Sequence, residues 1–229
     1  MKNWRIFFLL FILILILFSG NTAFAQELSQ EEEKIIESID VLHKIVAEED
    51  QATVIGELLK NARGVAVFPK LTRIGLGIGV QFGKGLILRK DYQTKQWYGP
   101  SFIEIKTASV GPQIGIQDVS LLLIIMDDAT LDGFKKADFD IGANISISPG
   151  PTAETIHKDA QLRDSIYTYS YREGLYAGFT LEGSVIQADN DANKNFYDTD
   201  IASEEILETI EPNNTSALKL IIEIEKISK

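Results

Sequence analysis

Residues 64–89 read GVAVFPKLTRIGLGIGVQFGKGLILR, a run of β-branched and apolar residues interrupted by Gly and Pro. This texture is typical of strands and turns. Before Gly64 the apolar residues instead recur every three or four positions, which is the spacing of one helix face. The sequence therefore predicts a change from helix to sheet at Gly64.

Further runs of strand-forming residues follow at close intervals along the chain. The turn signal KDYQT at residues 90–94 separates two of them, as expected for an antiparallel hairpin. The candidate strands are residues 65–68, 74–82, 85–89, 96–105, 108–116, 119–126, 139–148, 166–171 and 175–187.

Helical periodicity is found on both sides of these strands. Ser29 and Glu32 form a capping-box pattern at the start of one helix, and a second helix follows Asp50. The remaining helical segments are residues 129–136, a segment after Asp189, residues 201–210 and residues 217–227. We expect an α+β domain in which an antiparallel sheet, curled into a barrel or folded as a sandwich, is covered by N- and C-terminal helices.

The first 25 residues have the layout of a secretory signal peptide. Lys2 and Arg5 precede an unbroken apolar run at residues 6–18, and Ala23-Phe24-Ala25 has the spacing of a cleavage site. This run is shorter than the ~20 residues that a membrane-spanning helix needs, and an uncleaved anchor is the alternative. We therefore expect an exported protein, periplasmic or extracellular, with a single domain at residues 26–229.

The composition excludes several classes of protein. The 229 residues include no Cys and two His, which excludes disulfide scaffolds, thiolate nucleophiles and Cys-based zinc sites. The formal net charge of −11 disfavours nucleic acid as a partner, because phosphate contacts need clustered Lys and Arg. No Gly-x-Ser-x-Gly elbow accompanies His157. We expect no enzyme activity, no cofactor and no metal.

Two motifs imitate ligand sites. The glycines within residues 75–85 partly match a dinucleotide-binding loop, but residues 86–88 continue as strand where such a loop needs a helix. Alternate glycines instead favour a tight bend, close sheet packing or the close approach of a ligand. Asp189-x-Asp191-x-Asn193 imitates part of a calcium loop, but a helix cap at Asp189 or Asp191 explains these residues more simply.

Positive charge is concentrated in residues 63–106, which contain eight basic and two acidic residues. In an acidic chain such a stretch predicts a localised anion-binding surface, and the alternative is a solvated face balanced by acids from the helices. Apolar groups beside several cations favour a membrane surface over a purely ionic partner. The expected lipid contacts are Lys70, Arg73, Lys84, Arg89 and Lys90.

Six blocks of the sequence resemble the SYLF domain family. They are ARGVAVFP at residues 62–69, the glycines of residues 75–85, SVGPQIG at 109–115, YSYREGLYAG at 169–178, LEG at 181–183, and Asp191-Ala192-Asn193 with Tyr197. The resemblance covers about residues 35–197 and leaves a helical extension at residues 198–229. It implies a lipid-binding module; eukaryotic members bind phosphoinositides, and some bind actin.

The leading hypothesis is a non-enzymatic protein that docks on anionic phospholipid head groups through its basic segment. The acidic residues 31–50 stand where eukaryotic members have a basic amphipathic segment, which speaks against the same lipid specificity. Actin is not expected as a partner of an exported protein. The alternative is an envelope scaffold that binds another protein and no lipid. A third hypothesis is a small apolar ligand inside the sheet, where the glycines leave room.

Overall fold

The computed structural model describes residues 28–47, 51–136, 139–141, 145–151, 163–171, 181 and 183–229. The predicted signal peptide lies outside the described residues, as does much of the YSYREGLYAG block. The strands are β1 (Gly64–Lys90), β2 (Trp97–Ile125), β3 (Phe139–Ile141), β4 (Ile147–Pro149), β5 (Ile166–Tyr171) and β6 (Ser184–Ala188). The helices are α1 (Gln30–Ala47), α2 (Gln51–Asn61), α3 (Asp128–Lys135), α4 (Asn190–Tyr197), α5 (Ser203–Thr209) and α6 (Thr215–Ile227).

β1 and β2 form one long antiparallel ribbon that is closed by the hairpin turn after Lys90. The sequence predicted six short strands over this region, and the structure instead joins them into two. The register shifts between Phe68 and Leu71, between Leu76 and Ile78, and between Ile87 and Arg89. Pro69 and the glycines therefore lie at or near irregularities that bend the ribbon without ending it.

The remaining strands pair mainly with β2. The first half of β2 pairs with β6 and its second half pairs with β5, both antiparallel, while β4 adds to β5 in parallel. The sheet order is β3-β6-β2-β5-β4, with β1 along β2. The strand predicted at residues 139–148 corresponds to β3 and β4, and residues 142–144 between them lie outside the described residues.

The ribbon folds back on itself, and two glycines make this possible. A Cβ atom on Gly85 would lie 2.3 Å from the carbonyl oxygen of Val67 and 2.6 Å from Cδ1 of Phe68. A Cβ atom on Gly83 would lie 2.5 Å from the carbonyl oxygen of Lys70. The glycines thus serve close sheet packing. The protein's own backbone fills the space beside them, so these two positions leave no room for an enclosed ligand.

Because side chains alternate along a strand, the ribbon contributes to two cores. Val67 and Leu86 face one side, where they pack with buried residues of α1, α2 and α6. Phe68 and Ile87 face the inside of the curled sheet, where Phe134 of α3 and residues of α5 complete the second core. The expected α+β architecture is confirmed: a curled, mostly antiparallel sheet forms a half-barrel, flanked by N- and C-terminal helices.

Candidate functional site

A groove runs between the N-terminal half of α1 and the outer face of the ribbon. Lys34 and Glu37 form the helix side, and Pro69, Thr72 and Phe82 belong to the ribbon side. Its basic residues are Lys34, Lys70, Lys84 and Lys106. The groove therefore brings together two of the five predicted contact residues and two lysines that were not among them.

Lys70 lies at the exposed edge of this groove. Its Nζ atom is 3.0 Å from Oδ2 of Asp118 on the neighbouring strand, and the hydroxyl of Thr72 donates to the same carboxylate over 2.7 Å. The hydrogen bond from Thr72, assisted by Lys70, lowers the pKa of Asp118 below its ordinary value. Asp118 therefore stays ionised and holds Lys70 in place through an exposed pair of modest strength.

Lys84 forms an ion pair with a nearly buried carboxylate. Its Nζ atom is 2.7 Å from Oδ2 of Asp189, whose side chain is nearly inaccessible, whereas Lys84 itself is more than half exposed. The carboxylate of Asp189, to which the ammonium of Lys84 donates, raises the pKa of Lys84. Oδ1 of Asp189 accepts from the backbone N–H of Ala192 over 3.2 Å and so caps α4. The predicted cap at Asp189 is confirmed.

Lys106 also lines the groove, whereas Arg73 does not. Because side chains alternate along β1 and the residue before Arg73 lines the groove, Arg73 lies on the opposite face of the strand. Lys106 stands opposite Phe82 in the ribbon register and forms an ion pair with Glu104. Arg73 stands opposite Gln117, and within the described part of the chain it has no ion-pair partner. Lys106 belongs to the basic stretch of the sequence. Its position beside Phe82 is what marks it as a contact residue, and this position follows from the strand register and not from the sequence alone.

Arg89 and Lys90 lie at the hairpin end of the ribbon, away from the groove. Lys90 is 8% exposed, and its Nζ atom donates to the carbonyl oxygen of Leu59 at the end of α2 over 3.1 Å. Burial lowers the pKa of Lys90. The guanidinium of Arg89 donates to the carbonyl oxygen of Leu207 over 3.3 Å and stacks on the ring of Tyr98. The five predicted cations therefore do not converge on one surface.

Exposed apolar side chains cluster where the ribbon bends. Ile116 is 72% exposed and Val80 is 50% exposed, and Ile74 and Phe82 are exposed to a similar extent. Ile74 and Ile116 are directly opposite each other in the register. The side chains of Val80, Phe82 and Lys84 lie on the same face of β1, because every second residue of a strand points to the same side. Apolar groups and a cation therefore share this surface.

The Asp-Ala-Asn motif with Tyr197 has a structural role. Oδ1 of Asn193, which is fully buried, accepts from the backbone N–H of Phe102 over 2.7 Å. The hydroxyl of Tyr197 donates to the carbonyl oxygen of Pro100 over 2.8 Å. These two hydrogen bonds hold α4 against the start of β2. The described residues include no group of three or more His, Asp or Glu side chains placed to hold a metal ion.

The helices of the described part are too short or too polar to cross a bilayer. The outer face of the bent ribbon combines exposed cations with exposed apolar side chains.

Comparison with known proteins identifies relatives of this chain. The family model Ysc84, described as Las17-binding protein actin regulator, matches residues 106–227. An SH3 domain-containing YSC84-like protein 1 of Rattus norvegicus is 31% identical over 66% of this chain, and its counterpart in Xenopus laevis is 30% identical over 72%. Protein YSC84 of Saccharomyces cerevisiae is 28% identical over 66%. The matched regions cover 44%, 51% and 33% of these relatives, respectively.

These relatives overturn the expected location. They are SH3 domain-containing and YSC84 proteins of vertebrates and yeasts, and not exported envelope proteins. The prediction of a periplasmic or extracellular protein is therefore wrong, and the argument against actin that depended on export falls with it. That prediction rested on Lys2 and Arg5, the short apolar run at residues 6–18 and the spacing of Ala23-Phe24-Ala25, and such a local pattern does not by itself identify a compartment.

The family also bears on the class of activity. The family is described as one of binding proteins and regulators, which is the class expected for a chain with so few catalytic side chains. The family model covers more than half of the chain, including β5, β6 and every helix from α3 to α6. The resemblance to the SYLF domain is thereby confirmed, and the chain belongs to the Ysc84 family.

Proposed function

We propose that this chain is a non-enzymatic lipid-binding module that docks on anionic phospholipid head groups through the outer face of its bent ribbon. The observation that carries the proposal is the shared surface on which Lys70, Lys84 and Lys106 surround Phe82 beside the groove. Lysines placed beside apolar groups suit a membrane interface, because the alkyl stem lies along apolar surface while the ammonium group reaches the phosphates.

The existing ion pairs do not prevent this role. The pairs of Lys70 with Asp118 and of Lys106 with Glu104 lie on the surface, where such pairs contribute only ~0–1 kcal/mol. A lipid phosphate can therefore share these lysines at little cost.

The proposal places the contacts at Lys70, Lys84 and Lys106, and Arg73, which the sequence also proposed, lies outside the groove. Arg89 and Lys90, which the sequence also proposed, are engaged by carbonyl oxygens near the hairpin end and carry no part of it. Each cation near an anionic surface contributes ~1 kcal/mol, so several must act together. The chain spans about half the length or less of the curated relatives it matches, and the activity of those whole proteins is not transferred to it.

Vesicle co-sedimentation tests this function. The protein is incubated with vesicles of phosphatidylcholine alone and with vesicles that contain 30% phosphatidylserine, at low salt and at 0.5 M NaCl. We expect binding to the anionic vesicles at low salt and weaker binding at high salt, because salt screens exposed charges. Equal binding to both vesicle types, or no binding to either, would contradict the proposal.

A second candidate function is protein binding, which the family description as a Las17-binding protein and actin regulator favours. The hairpin end offers a surface for it: the exposed ring of Tyr92 lies 3.8 Å from the guanidinium carbon of Arg63 and 4.0 Å from Nζ of Lys95. Aromatic and Arg side chains are frequent at the centre of protein interfaces. Co-sedimentation with actin filaments that survives substitution of Lys70 and Lys106 would support this function.

A further inference from the structure

We propose that the bend of the ribbon enters the boundary between head groups and acyl chains of the bilayer, with Ile74, Val80, Phe82 and Ile116 as the inserted side chains. This inference rests on the proposed lipid-binding function and says which residues anchor it. In this inference, exposed apolar residues determine how deeply the protein enters the bilayer. The charge pattern of the sequence does not identify these residues.

The first support is the exposure of these four residues. Each is more than 40% exposed, although each belongs to a strand with well-paired neighbours in the ribbon register. Fully buried residues lie a few positions away, such as Leu71 and Leu86. The exposed apolar surface is thus a local property of the bend, and exposed apolar patches of this kind mark interaction sites.

The second support is the charge around the bend, which selects a membrane as the occupant. Phe82 has Lys84 two residues further along its own strand and Lys106 directly opposite on β2, while Lys70 lines the same groove. Anionic lipid supplies the complementary charge to these lysines. A second copy of the chain would bring the same lysines against one another, which costs energy.

The third support comes from comparison with the other exposed apolar strip of the molecule. Leu218 and Ile222 of α6 are exposed to a degree similar to that of Phe82. Glu223, which follows Ile222, forms ion pairs with Lys226 and His43, and Lys219 follows Leu218, so the border of this strip carries both signs of charge. The strip lacks a cluster of lysines like that of the groove, which makes α6 the comparison for the bend.

The test uses the absence of Cys from the chain. Ile116→Cys and Val80→Cys are each labelled with the fluorophore NBD in the full chain, and Leu218→Cys and Ile222→Cys are labelled in the same way as controls. On vesicles with 30% phosphatidylserine we expect the labels at positions 80 and 116 to shift to the blue and to brighten at least twofold. Lipids with a quencher in the upper acyl chain should then reduce their emission, and both control labels should stay in water.

A second pair of variants measures what insertion contributes to binding. Val80→Ser with Ile116→Ser should weaken partition onto the same vesicles at least tenfold, whereas Leu218→Ser with Ile222→Ser should leave it unchanged. Thermal unfolding of both double variants checks that the fold is retained. Because these positions are exposed, we expect their unfolding temperatures to match that of the parent protein.

The outcomes separate the two proposals. If the protein sediments with anionic vesicles while the labels at positions 80 and 116 remain in water, the insertion is wrong and the lipid-binding function stands. If the protein sediments with no vesicles, both are wrong. A spectral shift that grows with protein concentration in the absence of vesicles identifies a second copy as the occupant of the bend and overturns the insertion.

Discussion

At the scale of single residues, side chains whose sequence pattern resembles a ligand site instead hold elements of the fold together. Asp189 caps α4 with one oxygen and pairs with Lys84 through the other, and Asn193 binds the backbone of Phe102. The cap was predictable from the sequence because its partners are local. The contacts with Lys84 and Phe102 were not, since they join residues about ninety to a hundred positions apart.

The double role of Asp189 predicts a graded loss of stability. Asp189→Asn keeps an oxygen for the cap and removes the ion pair, so we expect a loss below ~1 kcal/mol in the free energy of unfolding. Asp189→Ala also removes the cap and should cost about 1 kcal/mol more. Chemical denaturation of the two variants checks this order. Equal losses would show that the cap contributes nothing.

Gly85 should tolerate no side chain. Gly85→Ala places a methyl group against the carbonyl oxygen of Val67, and neither backbone can withdraw without opening the inner core. Overpacking of this kind costs typically 1–3 kcal/mol, so we expect a lower unfolding temperature. An unchanged unfolding temperature would mean that the two ends of β1 are not packed face to face.

One buried and one largely buried tyrosine should make the protein sensitive to alkali. Burial raises the pKa of Tyr169 and of Tyr197 above the ordinary value near 10. A raised pKa in the folded state gives stability that is fully present below pH 10 and is lost as the pH rises further, because the unfolded chain then releases protons that the folded chain retains. The free energy of unfolding should therefore fall above pH 10.

Substitution identifies the source of that alkaline loss. Tyr197→Phe with Tyr169→Phe should flatten the decline of the free energy of unfolding above pH 10, whereas Tyr92→Phe at an exposed position should leave it unchanged. The measurement is urea denaturation at several pH values between 8 and 11. At neutral pH, Tyr197→Phe should cost ~1–3 kcal/mol, because the carbonyl of Pro100 loses its donor. A decline as steep as that of the parent protein would contradict the assignment.

At the scale of elements, the sequence predicted the type of nearly every segment and misjudged the length of the two longest. Short runs separated by Gly and Pro favour short strands, yet β1 and β2 continue through these positions. The reason is that bulges at Phe68/Leu71 and Leu76/Ile78 absorb the irregularities while both strands stay paired. Local chemistry does not show this, because the pairing partners lie on the other strand.

The C-terminal helix α6 lies in the segment that the sequence indicated as a helical extension, yet its buried side chains belong to the core. Leu220 is fully buried among α1 and α2, whereas Leu218 on the same helix is exposed. Leu220→Ala should therefore reduce the free energy of unfolding by ~2–5 kcal/mol, and Leu218→Ala by less than ~0.5 kcal/mol. Chemical denaturation of the two variants measures the difference. Similar small losses would mean that α6 contributes little to the fold.

At the scale of the whole molecule, the net charge of −11 conceals an uneven distribution. The sequence located the positive stretch at residues 63–106, but the structure divides its cations between the groove near the bend and the hairpin end of the ribbon. Lys70, Lys84 and Lys106 border the groove, while Arg89 and Lys90 belong to the hairpin end. This division of the cations depends on how the ribbon folds, so the charge pattern alone does not predict it.

The account depends most on the claim that the groove face of the ribbon binds anionic lipid. Lys70→Glu with Lys106→Glu reverses two charges on this face, and Lys219→Glu reverses an exposed charge on α6 as the matched control. The measurement is the partition coefficient of each full-length variant onto phosphatidylserine-containing vesicles at low salt. We predict that the double variant binds at least tenfold more weakly than the parent protein while Lys219→Glu changes binding less than twofold. Equal partition of the double variant and the parent protein would contradict the claim.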